Sequence, residues 1–384
     1  MKQFLLRRLP VWALACAALL VSLMTQGAST AIEARKYQRI AELANAWILT
    51  QQHQDDGFAN YWFDPWGGET PASHPQGQLI QAYWSASMAS ERPSVQAVHD
   101  RQIRALEQQF GLRFRGEAPR AFITRYPSSL AMTLNVLAVS PDVTSYRLFI
   151  ETAIDQWRAQ ARSEANSAEL GETSYREGLG TDQKRYYRAQ MTAALMSVDK
   201  VLNNEEIRRA GTLVLADLIA SRSPRTENPS VTPWVVEALS HRARLSSDRG
   251  DKEKIVEYAL ASMRLQDRRD FPGRFWREKF KSFGPPNTVR DARLTMALLQ
   301  GLEAASTLGD KRSAKKLRRG IVLSLDNLKA HQYRAGVVEA FPSPSSTVGA
   351  VRFRYNEPLC RIDSTVETAK AFTKAAELAG RGLL

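Results

Sequence analysis

The chain has 384 residues, 43% hydrophobic and 24% charged, with a formal net charge of +13. That composition is ordinary for a folded globular protein and excludes a disordered or collagen-like chain. Two cysteines, Cys16 and Cys360, exclude a disulfide framework.

The first thirty residues stand apart. Lys2, Arg7 and Arg8 lead into an apolar run from Leu9 to Met24, and the small residues Gly27, Ala28 and Ser29 follow. This pattern predicts an export signal with cleavage near residues 28–31. The run is about sixteen residues, short of the twenty or so that span a bilayer, so an uncleaved inner-membrane anchor is the alternative. Leu14-Ala15-Cys16 is loosely lipobox-like, but the apolar run continues past it, which is wrong for a lipoprotein. Residues 1–30 therefore read as a signal peptide or anchor, and 31–384 as one periplasmic or secreted domain. Cleavage removes three positive charges and leaves the exported part at +10. A basic balance suits an acidic partner, and export argues against nucleic acid.

Residues 34–52 form an amphipathic helix through Ile40, Leu43, Ala44 and Trp47. The loop 55–76 carries Phe58, Tyr61, Trp62, Phe63 and Trp66. An apolar helix follows at 78–90, then a charged helix at 93–110 and an arginine-rich loop with Arg113, Arg115, Arg120 and Arg125. Residues 128–139 are apolar. The third pair is 144–163 and 185–202, with Tyr175 and Arg176 between them. The fourth is 204–222 and 231–245, and the fifth is 252–266 and 291–306, joined by a Pro-, Phe- and base-rich segment from Phe271 to Pro286. The sixth charged helix, 311–330, sets Leu317, Ile321, Leu325 and Leu328 on one face, and a long serine- and proline-bearing stretch leads to 363–378.

Six apolar helices thus recur at roughly fifty-residue spacing, each alternating with a charged helix. This is the pattern of a helical-hairpin array. Links into the apolar helices are long, and links out of them are short. Twelve helices in six hairpins with that asymmetry predict an all-α, (α/α)6 toroid. Apolar helices form its inner ring and long loops collect on one rim. That rim then carries the N-termini of the inner helices, whose unpaired N–H groups favour anions.

Arginine recurs at these entrances: Arg125 with Tyr126, Arg185 with Arg188, Arg290 with Asp291, and Arg361 with Asp363. Guanidinium forks suit carboxylates and sulfates. Thr288 and Asp291 also have capping-box spacing, and Asp363 is placed to cap its own helix. The first and third loops are acidic and the second, fifth and sixth basic, which predicts a polarised cleft. Asp55 and Asp56, beside the aromatic cluster, are candidate acid/base groups, with Trp62 and Trp66 as stacking surfaces for sugar rings. Tyr126 and Tyr187 are candidate proton-transfer residues, and Arg125, Arg176, Arg290 and Arg361 candidate holders of substrate acid groups. No HExxH, paired-cysteine, GxSxG or P-loop pattern occurs, so no metal or other cofactor is expected.

With its Gln54-Asp55-Asp56-Gly57-Phe58 turn, the array resembles the six-hairpin and (α/α)6 toroid superfamilies. These include polysaccharide lyases, many glycoside hydrolases, uronyl epimerases and terpenoid cyclases. The acidic DxDD and DDxxD patterns of the cyclases are absent. Taken with the export signal and the basic balance, the resemblance implies an exported carbohydrate-active protein for an acidic bacterial polysaccharide, binding it or acting as lyase, epimerase or hydrolase. A non-catalytic envelope scaffold in polysaccharide assembly or secretion is the alternative.

Overall fold

Helix boundaries follow local capping chemistry. In the computed structural model, residues 11–68, 74–90, 92–125, 127–166, 181–276 and 285–384 are described; the side chains of 11–29, 123–125, 127–128, 160–166 and Thr181 are not. The helices are α1 (Val11–Thr50), α2 (Pro75–Ala89), α3 (Pro93–Phe110), α4 (Arg120–Arg125), α5 (Pro127–Val139), α6 (Arg147–Asn166) and α7 (Thr181–Leu202). Then come α8 (Glu205–Ser221), α9 (Thr232–Ser246), α10 (Arg249–Ser262), α11 (Thr288–Thr307), α12 (Lys311–His331), the single-turn α13 (Pro344–Thr347) and α14 (Ile362–Gly380). Asn204, Asp248 and Asp310 cap α8, α10 and α12 by accepting N–H groups of the first turn. α1 starts inside the apolar N-terminal run and continues into the first outer helix without a break. Among the described residues no helix is long and apolar enough to cross a membrane.

The expected closed torus is what forms. α2 touches α5, α5 touches α7, α7 touches α9, α9 touches α11, α11 touches α14, and α14 returns to α2. The outer helices lean on this ring: α1 on α14, α3 on α2, α8 on α7, α10 on α9 and α11, and α12 on α11. Buried side chains on the inner helices, such as Leu134, Leu195, Leu239, Leu298 and Phe372, fill the space between the layers. Burying each such side chain stabilises the fold by about 1.5–3 kcal/mol.

The ring closes through contacts that the helical periodicity does not announce. A two-residue antiparallel ladder joins β1 (Trp62–Phe63) in the first loop to β2 (Cys360–Arg361) in the last, with Trp62 opposite Arg361. Gly349 lies beside α1 with φ of 100°, and a Cβ there would stand 2.2 Å from the Leu43 carbonyl oxygen. Only glycine adopts that conformation at that distance.

Candidate functional site

The N-terminal turns of the six inner helices meet at the long-loop rim. A cavity of about 170 Å³ there is walled by Gln76 and Ile80 of α2, Met132 of α5, Tyr186 and Gln190 of α7, Val289 and Arg293 of α11, and Asp363 of α14. Tyr61, Asn287, Phe353 and Arg361 complete it from the loops. An adjoining cavity of about 390 Å³ shares Tyr186, Asn287, Val289 and Arg293, and adds Asp182, Asn228, Arg290 and Pro233 of α9. A deeper space of about 180 Å³ continues down the axis, sharing Arg293 and adding Tyr83, Trp234, Glu237, His241, Glu367 and Lys370. Helix N-termini pointed at one mouth make it favourable for anions.

Arg361 is clamped at this mouth. Its guanidinium carbon lies 4.1 Å from the Phe353 ring centre, 4.7 Å from Tyr61 and 5.3 Å from Trp62. Its Nε donates to Asp363 Oδ1 at 2.9 Å, and Nη2 donates to Oδ2. Tyr61 Oη donates to the same Oδ2 at 3.4 Å, and burial followed by the neighbouring Asp363 charge pushes that phenol far above its ordinary pKa. Asp363 is thus an ion-pair partner rather than a helix cap. On α11 the cap is Asn287, whose side chain accepts the Arg290 N–H at 2.9 Å. The expected Thr288–Asp291 capping box does not form. Thr288 Oγ1 donates instead to the Arg352 carbonyl at 2.6 Å, and Asp291 accepts the Phe275 N–H at 2.9 Å and Asn327 Nδ2 at 3.1 Å.

Down the axis, charges alternate. Arg293 pairs with Glu367 at 3.0 Å, and Lys370 reaches the other Glu367 oxygen at 3.3 Å. Arg293 also rests 4.9 Å from the Trp234 ring centre and donates to Tyr186 Oη at 3.4 Å, while Gln190 Nε2 donates to the same hydroxyl at 3.1 Å. Burial raises the Glu367 pKa, but Lys370 and Arg293 outweigh it and hold the carboxyl below its usual range. Burial would likewise discharge Lys370, but Glu367 and Tyr83 keep it firmly cationic. Glu237 is depressed against burial by His241 and Lys370.

The residues singled out in the sequence fall in several places. Arg361 and Arg290 reach the mouth. Arg290 donates from Nη2 to the Pro285 carbonyl at 2.9 Å, and burial holds it below the ordinary guanidinium range. Trp62 packs edge-on against Phe353 and Tyr61 at the rim. Trp66 is half-exposed, edge-on to Phe341. Asp55 is exposed, and Asp56 accepts the Phe58 N–H at 2.8 Å in a turn that Gln102 pins through the Gly57 carbonyl. Neither carboxylate walls the cavity around Arg361. Tyr187 Oη accepts from Gln183 at 2.9 Å and its ring meets Tyr186 edge-on. Tyr126, Arg176 and the Arg125 side chain lie outside the described residues.

Arg185 is not directed at the mouth. It is buried against Glu227, Ser221 and the Leu218 carbonyl, tying α7 to α8 and the loop before α9. The sequence reading missed Arg293, Glu367, Lys370 and Glu237. Their signal is charge inside helices that are otherwise apolar all round.

No protein-family profile matches the sequence, and no curated protein does. Solved structures match in shape. An unsaturated glucuronyl hydrolase specific for heparin is 12% identical at a TM-score of 0.60, over 89% of this chain and 97% of that one. The GH76A alpha-1,6-mannanase from a Salegentibacter species is 7% identical at 0.56, over 89% and 99%. The Lin0763 protein from Listeria innocua is 9% identical at 0.53, over 89% and 97%. What the chain shares with them is the fold, an (α/α)6 toroid.

Proposed function

We propose that this chain is a carbohydrate-active protein that takes an acidic saccharide, of uronate type, into the mouth of the torus. One observation carries the reading: the N-terminal halves of five inner helices line a cavity walled by the Tyr61, Tyr186 and Phe353 rings and the Arg293 and Arg361 guanidinium groups, and the sixth, α9, borders the adjoining cavity. Aromatic rings accept the faces of sugars, and guanidinium forks accept their carboxylates. The glucuronyl hydrolase and the mannanase among the similar structures act on glycans, which supports the same class of ligand.

The chemistry we favour is proton transfer at the carbon beside the uronate carboxylate. Glu367, Glu237 and Asp182 are held ionised by neighbouring cations or hydrogen bonds, which is poor for a general acid. Tyr186, hydrogen-bonded by Arg293 and Gln190, is the proton carrier in this proposal. Arg361 and Arg290 hold the acid group. Hydrolysis is the second reading, favoured by the reactions named for the two glycan-acting structures. We also propose export through the N-terminal segment, supported by Lys2, Arg7 and Arg8 ahead of the apolar run.

The test is incubation with polygalacturonate, alginate and neutral dextran, read by calorimetry, new reducing ends, new double bonds and solvent-deuterium uptake. The acidic polymers are expected to bind, with deuterium uptake or double bonds. New reducing ends without either would favour hydrolysis, and binding without chemistry would favour a scaffold. Equal affinity for dextran would overturn the acidic reading.

A further inference from the structure

A cavity larger than those at the mouth lies elsewhere on the molecule. It lies on the outer wall, between the C-terminal end of α10 and the middle of α12, and holds about 1060 Å³. Its floor is aliphatic, made by Leu260, Met263 and Leu323. Around it stand Arg225, Arg264, Arg268, Lys316 and Arg319, all exposed. None of the five makes an ion pair among the described residues. The one carboxylate in the wall, Glu257, is engaged by Lys254 at 2.8 Å. Some surface arginines elsewhere have a carboxylate partner, as Arg115 has Asp142 and Arg249 has Glu253. Five cations round one concavity repel one another; water and salt screen part of that repulsion, and a bound anion lowers it further.

We infer that this outer groove is a second binding site for an acidic polysaccharide chain. The ligand class follows the reading of the mouth, but the site stands on its own residues. Three features favour a glycan over other anions. The cations surround a hollow, which a single chain enters and a bilayer surface does not. Gln266 in its wall is fully buried, donates to the Gly320 carbonyl at 2.8 Å, and leaves its Oε1 without a partner. A sugar offers hydroxyl donors for such an acceptor beside carboxylates for the cations. The α8–α9 connection also links the two sites: Arg225 borders the groove, and Asn228, three residues on, borders the mouth. A polymer long enough to leave the mouth over that rim would reach the groove.

The test uses polygalacturonate oligomers titrated into the full chain at low and high salt. Wild type is expected to show a second, salt-sensitive binding event. R264A/K316A/R319A is expected to weaken that event about tenfold, the sum of three modest surface charges. R361A, altered at the mouth, is expected to keep it, so failure of either site is read separately. K316R/R319K, which retains the charges, is expected to bind as wild type. The inference is overturned if the triple variant titrates as wild type, or if the charge-keeping variant is as weak as the triple. Equal competition by inorganic sulfate, or tighter binding to phosphatidylglycerol vesicles, would also overturn it.

Discussion

Arg293 and Glu367 face each other at the axis of the torus, with Nη2 and Nε of the arginine 3.0 and 3.1 Å from the same carboxylate oxygen. The pair joins α11 to α14, two neighbours in the inner ring. Only 6% of the Glu367 side chain is exposed, so neither charge is well solvated if its partner is removed.

E367Q should therefore cost about 3 kcal/mol of stability, because it strands Arg293 and Lys370 in a desolvated site. The pH dependence has a definite sign. The folded-state pKa of Glu367 is depressed by Lys370 and Arg293, so its contribution is present above the ordinary carboxylate pKa of about 4.3 and is lost as pH falls further. Urea titrations between pH 3 and 7 check this (a range of roughly four units around that value). Equal acid sensitivity in wild type and E367Q would remove Glu367 from the account.

Asp291 works in the opposite direction. Burial pushes its pKa up to about 6, against the Phe275 N–H and Asn327 amide that favour the ionised form. A raised carboxylate contributes its full stability below the unfolded pKa of about 3.9 and loses it as pH rises through 6. Wild type should lose about 3 kcal/mol across that window through this group. D291N should lack the step, which denaturation at several pH values would show directly.

These two carboxylates also show what could be read from the sequence. The alternation of apolar and charged helices, with long and short links, fixes which helices are inner and which rim bears the loops. It does so because burial on all sides demands apolar side chains. Arg290 and Arg361 could be placed at the mouth because they lie at the starts of inner helices. Glu367 and Arg293 could not be paired, since they are 74 residues apart and meet only when the ring closes. Asp291 looked like part of a capping box because local spacing cannot reveal a partner on the next helix. That partner, Asn327, sits near the C-terminal end of α12.

Gly273 should be intolerant of any side chain. Its φ is 94°, and a Cβ would fall 1.9 Å from the Leu323 carbonyl oxygen. G273A is expected to lose at least about 2 kcal/mol, from strain at positive φ combined with a backbone collision. Thermal denaturation checks it. Unchanged stability would mean that this turn is not held against α12.

The most discriminating substitutions are at Tyr186 and Arg361, because the two residues border one cavity with different proposed roles. Y186F removes a hydroxyl that Arg293 and Gln190 both address, while leaving the ring on Trp234 and Tyr187. If Tyr186 moves the proton, polyuronate affinity should stay within a few-fold while deuterium uptake or double-bond formation falls roughly a hundredfold or more. R361A should behave in the reverse sense. Loss of one charge-assisted hydrogen-bond donor at the mouth should weaken acidic-polymer binding by about tenfold or more. R361K should recover only part of that, since an ammonium cannot reproduce the planar contact with Phe353 and Tyr61. Should both variants change affinity and chemistry in parallel, the division of labour between ring and cation would be wrong. The mouth would then act as a single binding surface.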